Sequence, residues 1–404
     1  MKVRIEKGTA NGTIVAPASK SMAHRMLICA AMCRGESKIT GLSDCMDVSA
    51  TIDCLNALGI KVNIDGNNAT VFGEDLTKVT PNGTLCCRES GSTLRFLIPV
   101  ALLSGKTTMF CGAKSLMQRP MGVYDNLCKQ KGMDFIVDGE TIAVKGPLKA
   151  GEYTVVGNVS SQFISGLLFA LPVLKKESRI KILPPIESRS YIEMTRAAQK
   201  LFGIESVWED EHTLYIPGGQ TYKSANVAVE GDYSGAAFPD ALNLFGGNVL
   251  VEGLNPESIQ GDAVYKKYFQ ALNSGVPTVH IGDCPDLGPI FFAIAAAKNG
   301  GVFSGTKRLK IKESDRAQAM AEELKKFGTS VAVQEDKVVV YPASFHAPTE
   351  PLNSHNDHRI AMSLAVLLTM TGGEIEGAEA VEKSYPAFFE HLKSLGIGVT
   401  TYEI

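Results

Sequence analysis

Basic residues recur beside small polar ones at the start of apolar stretches. Lys20 and Arg25 flank Ser19-Lys20-Ser21-Met22, and Arg88 and Arg95 bracket Ser90-Gly91-Ser92-Thr93. Arg119 follows the segment Lys114–Gln118, Lys312 and Arg316 flank Ser314-Asp315, Arg359 lies in Asp357-His358-Arg359-Ile360, and Lys383 precedes Tyr385-Pro386. Serine, glycine and aspartate at a helix start are explained by capping alone. The cations are not, because one at a helix start sits against the positive end of the dipole at a penalty of roughly 0.3–1 kcal/mol unless an anion lies between. Their repetition therefore points to a cleft for phosphate or carboxylate groups. Asp286 and Glu313 stand among or near these cations. A carboxylate so placed is held ionised, and it either accepts a proton from a hydroxyl or balances charge.

The elements that must carry these residues are repeated. One kind is an apolar helical stretch behind a small polar start, at Ser19, Ser90, Ser160, Tyr233, Asp286 and Asp357. The other is an amphipathic helix ending at glycine, at Gly59, Gly132, Gly203, Gly275, Gly328 and Gly396. Val48, Ile52 and Leu55, and again Met320, Leu324 and Phe327, show the helical period, and glycine past the last turn is the expected left-handed stop. The glycines lie 73, 71, 72, 53 and 68 residues apart, so the chain reads as six two-helix units with short strands between them. An α/β (α+β) fold follows, and 404 residues divide naturally into two domains of three units, with a crossing near residue 230.

Other classes are excluded or disfavoured. With 45% apolar residues and a net charge of −3, the chain is neither disordered nor drawn as a whole to nucleic acid or a membrane, so anion binding must be local. The apolar runs near Phe291–Ala297 and Ile360–Thr369 are too short to span a bilayer, and Met1–Lys7 has no secretion-signal character. Nine cysteines without a CxxC read as thiols in a reducing cytoplasm. His355 and His358 form an HxxH with nothing to complete it, so no metal is expected.

Taken in order, these strings resemble the enolpyruvyl transferase family, in the branch that acts on shikimate 3-phosphate. The motifs are Ala18-Ser19-Lys20-Ser21 with Arg25, Ser90-Gly91-Ser92-Thr93-Leu94-Arg95, Gln118-Arg119-Pro120, Ser160-Ser161-Gln162-Phe163, and Ser188 with Tyr191. They continue through Asp286, Lys312-Glu313-Ser314-Asp315-Arg316, Asn356-Asp357-His358-Arg359-Ile360-Ala361-Met362 and Lys383, covering nearly the whole chain. The resemblance implies two similar globular domains, each of three βαβαββ units around a pseudo-threefold axis, with the active site in the cleft between them. By that pattern residues 14–229 form one domain, and residues 1–13 join 230–404 in the other.

The implied reaction belongs to the shikimate pathway of aromatic amino acid biosynthesis. It moves the enolpyruvyl group of phosphoenolpyruvate to the 5-hydroxyl of shikimate 3-phosphate and releases phosphate. By motif position, Lys20, Gly91, Arg119, Arg316, Arg359 and Lys383 are implied for phosphoenolpyruvate. Lys20, Ser21, Arg25, Ser160, Ser161, Gln162, Ser188, Tyr191, Asp286 and Lys312 are implied for shikimate 3-phosphate. Asp286, Glu313 and Lys20 are the implied proton-transfer groups, with the division among them open. Glyphosate is implied as a competitor of phosphoenolpyruvate, and no cofactor, nucleic acid, membrane or protein partner is expected of what reads as a monomer.

Two positions depart from the pattern. Glu89 stands where relatives often have asparagine, with Arg88 offered as its partner, and Arg308 stands where they often have asparagine or glutamate; neither is placed in the site. Two other readings stay open: the sister transferase that uses UDP-N-acetylglucosamine, and a non-catalytic anion-binding protein on the same scaffold. The Lys114–Arg119 segment lacks the cysteine that the sister enzyme often carries.

Overall fold

In the computed structural model, which describes residues 1–402, the chain forms two compact units. One is Ala18–Glu230; the other joins Met1–Pro17 to the chain from Gly231 onward.

Three four-stranded sheets of one pattern build the Ala18–Glu230 unit. Gly35–Thr40 lies parallel to Asn226–Ala228 and antiparallel to Asn68–Gly73, which pairs with Lys61–Asp65. Thr107–Cys111 holds the same place with Leu85–Cys86, Thr141–Lys145 and Asp134–Asp138. Ser178–Leu183 does so with Glu152–Val156, Thr213–Ile216 and Val207–Trp208. Each repeat therefore ends by giving a strand to the next sheet, and Asn226–Ala228 closes the ring on the first. Alternating burial along these strands turns one face of each sheet toward the helices.

The other unit repeats the pattern twice. Gly301–Ser304 sits between Thr278–His280 and the hairpin Val331–Val333 with Lys337–Val340. Gly373–Glu376 sits between Leu352–Asn353 and Lys2–Ile5, which pairs onward with Val399–Tyr402. The fourth repeat corrects the expectation of equal copies. Asn248–Glu252 pairs only with Asn11–Val15, in parallel, and no hairpin follows it. The missing hairpin accounts for the short spacing after Gly275. That glycine is extended, with φ 178°, because the chain runs straight on to Thr278, whereas the other five repeat glycines take φ between 66° and 101°. Because Asn11–Val15 pairs with Asn248–Glu252, residues 14–17 stay with this unit, past the boundary expected after residue 13.

The six helices behind the small polar starts form the cores. In His358–Thr371 every residue from His358 to Thr369 is buried, and Gly288–Ala297 is buried along nearly its whole length. A helix apolar on all sides must be surrounded, and here its neighbours are the other core helices first, then the amphipathic helices and the sheets. Arg316–Lys325 shows the second kind: Met320 and Leu324 face inward, and Gln318, Glu322 and Lys325 face out. Burying a leucine or phenylalanine side chain contributes about 1.5–3 kcal/mol, so these helices hold each unit together. Further along them the polar side chains are few, among them Ser165, Asp240, Ser363 and Thr369. No helix among the described residues is long and apolar enough to cross a membrane. All nine cysteines are free thiols.

Candidate active site

Each unit carries its expected residues at helix N-termini and in the loops beside them. In the Ala18–Glu230 unit, helix Lys20–Ala31 is capped by Ser19, whose hydroxyl accepts from the Met22 amide. Lys20 opens this helix and pairs with Asp47 at 2.8 Å. Arg25, one turn on, is buried, and burial lowers its pKa to about 10, which still leaves a cation at neutral pH. Its Nε donates to Thr195 at 2.8 Å, and its terminal nitrogens donate to the Ser21 and Tyr191 carbonyls at 2.7 and 3.0 Å. The Phe96 and Tyr191 rings flank it.

Gly91 opens helix Gly91–Ala101 behind its cap, Ser90. A Cβ added at Gly91 would lie 2.9 Å from one terminal nitrogen of Arg119 and 3.3 Å from one of Arg95. Arg95 donates to Gln162 at 2.7 Å, and Gln162 donates in turn to Ser92 at 3.0 Å. Gly91, Arg95, Arg119 and Gln162 are thus one cluster, though they come from three separate stretches of chain. Ser160 caps the helix that carries Ser161 and Gln162. Ser188, with φ 56°, starts helix Arg189–Leu201 and so turns Tyr191 toward Arg25. Behind this layer His24, Thr51, Thr93 and Ser90 form a buried chain of hydrogen bonds of 2.7 Å each. Burial, with Lys20 and Arg25 nearby, holds His24 neutral by pushing its pKa well below the usual histidine range.

The other unit gathers a denser cluster. Asp286 lies in the 3₁₀ turn Pro285–Leu287, which runs into helix Gly288–Ala297. Its carboxylate accepts from Arg316 at 2.7 Å and Lys312 at 3.2 Å, and Arg359 stands 3.9 Å away. Burial works to raise the Asp286 pKa, but Lys312, Arg316 and Arg359 overcome it and hold the carboxyl well below the ordinary range. The Lys312 pKa is lowered too, but by burial, which outweighs the pull of Asp286. Arg316, only 1% exposed, meets a carboxylate through each of its three nitrogens: Asp357 at 2.8 Å, Asp286 at 2.7 Å and Glu313 at 2.8 Å. Asp357 also accepts from Ser314 and caps the last core helix at the Arg359 amide. Lys383 ends the 3₁₀ stretch Ala378–Lys383 and donates to the Asn356 carbonyl at 2.5 Å.

Arg359 differs from Arg316. It is buried, with Phe238 beneath its guanidinium, yet its Nε and one terminal nitrogen have no hydrogen-bond partner among the described residues. Leaving buried charged donors unpaired is costly, and an anion that accepts from them recovers that energy.

Sequence reading did not place Asp47, Arg95 or Asp357 in the site. Asp357 was legible as the capping residue of an Asn-Asp-His-Arg string, and Arg95 as the residue one turn after Gly91. Nothing local marks Asp47, whose pairing with Lys20 joins residues 27 positions apart. Arg88 turns to Asp53, at 2.5 Å, in place of the suggested pairing with Glu89. Arg308 is buried and donates to the Gly282 carbonyl. No group of three or more metal-ligating side chains occurs among the described residues.

The chain is similar to known proteins along nearly its whole length. A family model described as EPSP synthase (3-phosphoshikimate 1-carboxyvinyltransferase) matches residues 5–392. The chain is 36% identical over 419 residues to a 3-phosphoshikimate 1-carboxyvinyltransferase of Clostridium perfringens, covering 98% of both chains. It is 38% identical over 416 residues to one of Clostridium acetobutylicum, covering 98% of this chain and 97% of that one. Its fold is similar to that of an EPSP synthase from Acinetobacter baumannii, with a TM-score of 0.78 at 23% identity over 99% of this chain and 100% of that one.

Proposed function

The chain belongs to the EPSP synthase (3-phosphoshikimate 1-carboxyvinyltransferase) family, and from that premise we propose that it transfers the enolpyruvyl group of phosphoenolpyruvate to the 5-hydroxyl of shikimate 3-phosphate. Addition comes first: C3 of phosphoenolpyruvate gains a proton, and the hydroxyl oxygen, losing its own proton, bonds to C2. Elimination follows: the C2–O bond to phosphate breaks as C3 gives up a proton, leaving the enol ether and inorganic phosphate.

Both reactants are multiply anionic, so the first barrier is their mutual repulsion. The observation that carries the proposal is the buried cluster at Asp286, where Lys312, Arg316 and Arg359 meet and Arg359 keeps two donors unpartnered among the described residues. Cations fixed in a dehydrated site neutralise such reactants without reorganising during the reaction. Arg359, Lys383, Arg316, Arg119 and Lys20 are the proposed phosphoenolpyruvate groups. Lys20, Ser21, Arg25, Ser160, Ser161, Gln162, Ser188, Tyr191, Asp286 and Lys312 are the proposed shikimate 3-phosphate groups. Asp286 is the proposed acceptor of the hydroxyl proton, and Glu313, with Lys20 as the alternative, is the proposed proton-transfer group for C3.

The test is phosphate release from phosphoenolpyruvate on adding shikimate 3-phosphate, run beside UDP-N-acetylglucosamine. Release with the first acceptor and none with the second is expected. Release only with the sugar nucleotide, or with neither, would sink the proposal.

Gly91→Ala is expected to raise KM for phosphoenolpyruvate about tenfold with a smaller effect on kcat. The new methyl forces the Arg119 and Arg95 nitrogens aside by a few tenths of an ångström, weakening charge-assisted hydrogen bonds of about 1.5–3 kcal/mol each. Steady-state kinetics at saturating shikimate 3-phosphate measures this; an unchanged KM would mean that neither guanidinium meets phosphoenolpyruvate.

A further inference from the structure

The turn Ser354–Asp357 holds two groups of the proposed site. The Asn356 carbonyl accepts from Lys383, and Asp357 grips Arg316 and caps the helix carrying Arg359. Its backbone is strained, since His355 and Asn356 take φ 51° and 53°, a left-handed region that side chains other than glycine seldom occupy. Such a turn persists only where its surroundings over-determine it.

The surroundings here centre on Glu323, a buried carboxylate on helix Arg316–Lys325, the helix that begins with Arg316. Glu323 accepts from the Asn353 amide at 2.9 Å, from His355 Nε2 at 3.0 Å and from Lys326 at 3.0 Å. The His355 amide is tied back to Asn353 at 2.6 Å, and the Asn356 amide to Ser354 at 3.2 Å. Glu323 thus fastens both limbs of the turn to the helix, and the imidazole links it to the left-handed pair.

We propose that His355, bonded to Glu323, is a positioning residue that sets the turn holding Lys383 and Asp357, and that phosphoenolpyruvate affinity follows its protonation. This deepens the function proposed above and rests on it. The charged groups acting on the imidazole are Glu323 and Glu322 of the helix, which favour the cation, and Lys326 beside them, which opposes it; Asp357 and His358 follow on the turn itself. The Glu323 hydrogen bond raises the His355 pKa above the usual histidine value, against a smaller lowering by burial. The sign follows: the pair is complete below that ordinary value and is lost as pH rises through the raised one.

The experiment compares wild type, His355→Gln and Glu323→Gln at pH 6 to 9. The His355 ring is titrated by proton NMR, and KM for phosphoenolpyruvate and kcat are measured at each pH. The ratio of variant to wild-type KM removes the ionisation of phosphoenolpyruvate itself. For His355→Gln, which keeps a donor and loses the titration, the ratio is expected to fall about threefold or more from pH 6 to pH 9 while kcat stays near wild type. Glu323→Gln should lower the His355 pKa. A pH-independent KM ratio for His355→Gln, or a His355 titration unmoved by Glu323→Gln, would overturn the proposal. The NMR titration needs no catalysis, so a failed activity assay would count against the proposed function alone.

Discussion

Asp286→Asn is expected to lower kcat by roughly 10²–10⁴-fold, the range for losing a positioned general base, with the fold unchanged. Asparagine keeps the size of aspartate and can still receive a hydrogen bond from Lys312 or Arg316, but it takes no proton from a hydroxyl. In the free protein Lys312, Arg316 and Arg359 hold the Asp286 carboxyl well below the ordinary range, overcoming burial, and a carboxylate held so low is a weak base. Phosphoenolpyruvate supplies the correction. On the proposed reading, its negative charge beside those cations would cancel part of their pull and lift the Asp286 pKa when a proton must be accepted. A second measurement follows from this sign. The pH profile of kcat/KM, which reports the free protein, should show no acidic limb from Asp286 above about pH 4. The profile of kcat, which reports the bound complex, should place that limb at higher pH. An Asp286→Asn protein within about threefold of wild-type turnover would remove Asp286 from proton transfer, since a base contributes far more than that.

The other large effect is on stability. Arg316→Leu is expected to destabilise the protein by about 3–5 kcal/mol, the range for stripping the partner from a buried charge. Arg316 answers three carboxylates at once, and Asp357 is 0% exposed. Without the guanidinium, Asp357 must take up a proton or draw in water, and either change loosens the cap of helix His358–Thr371. Denaturant unfolding followed by circular dichroism measures the loss. Arg316→Leu with Asp357→Asn should recover part of it, because the double variant leaves no charge in that place. A single variant within about 1 kcal/mol of wild type would show that the cluster is not structurally coupled, contrary to the buried-pair expectation. Activity should be lost in both variants, which separates the structural role of Arg316 from its proposed part in binding.

Much of the fold was legible along the chain because it rests on local rules. Small polar caps followed by apolar runs announced the core helices, and glycine after an amphipathic run announced five of the six left-handed stops. Gly275 escaped that rule because its backbone follows from what comes next, a strand in place of a hairpin, and no local signal distinguishes the two. The place of Asn11–Val15 was likewise not local, since a strand pairs with whichever edge the fold offers and Asn248–Glu252 lies far along the chain.

The same division holds at the site. Sequence by itself determined which residues carry charge, that they sit at helix starts, and that cations in such positions call for an anion. Tertiary structure decided what each charge meets. Arg316 and Arg359 look alike in the sequence, each within two residues of an aspartate at the start of a helix, yet Arg316 is engaged by three carboxylates while Arg359 keeps two buried donors without a partner among the described residues. The reason is physical: a side chain's charge belongs to the residue, but its pairing and its proton affinity depend on distances of a few ångströms between groups tens of residues apart, and only the folded chain sets those distances.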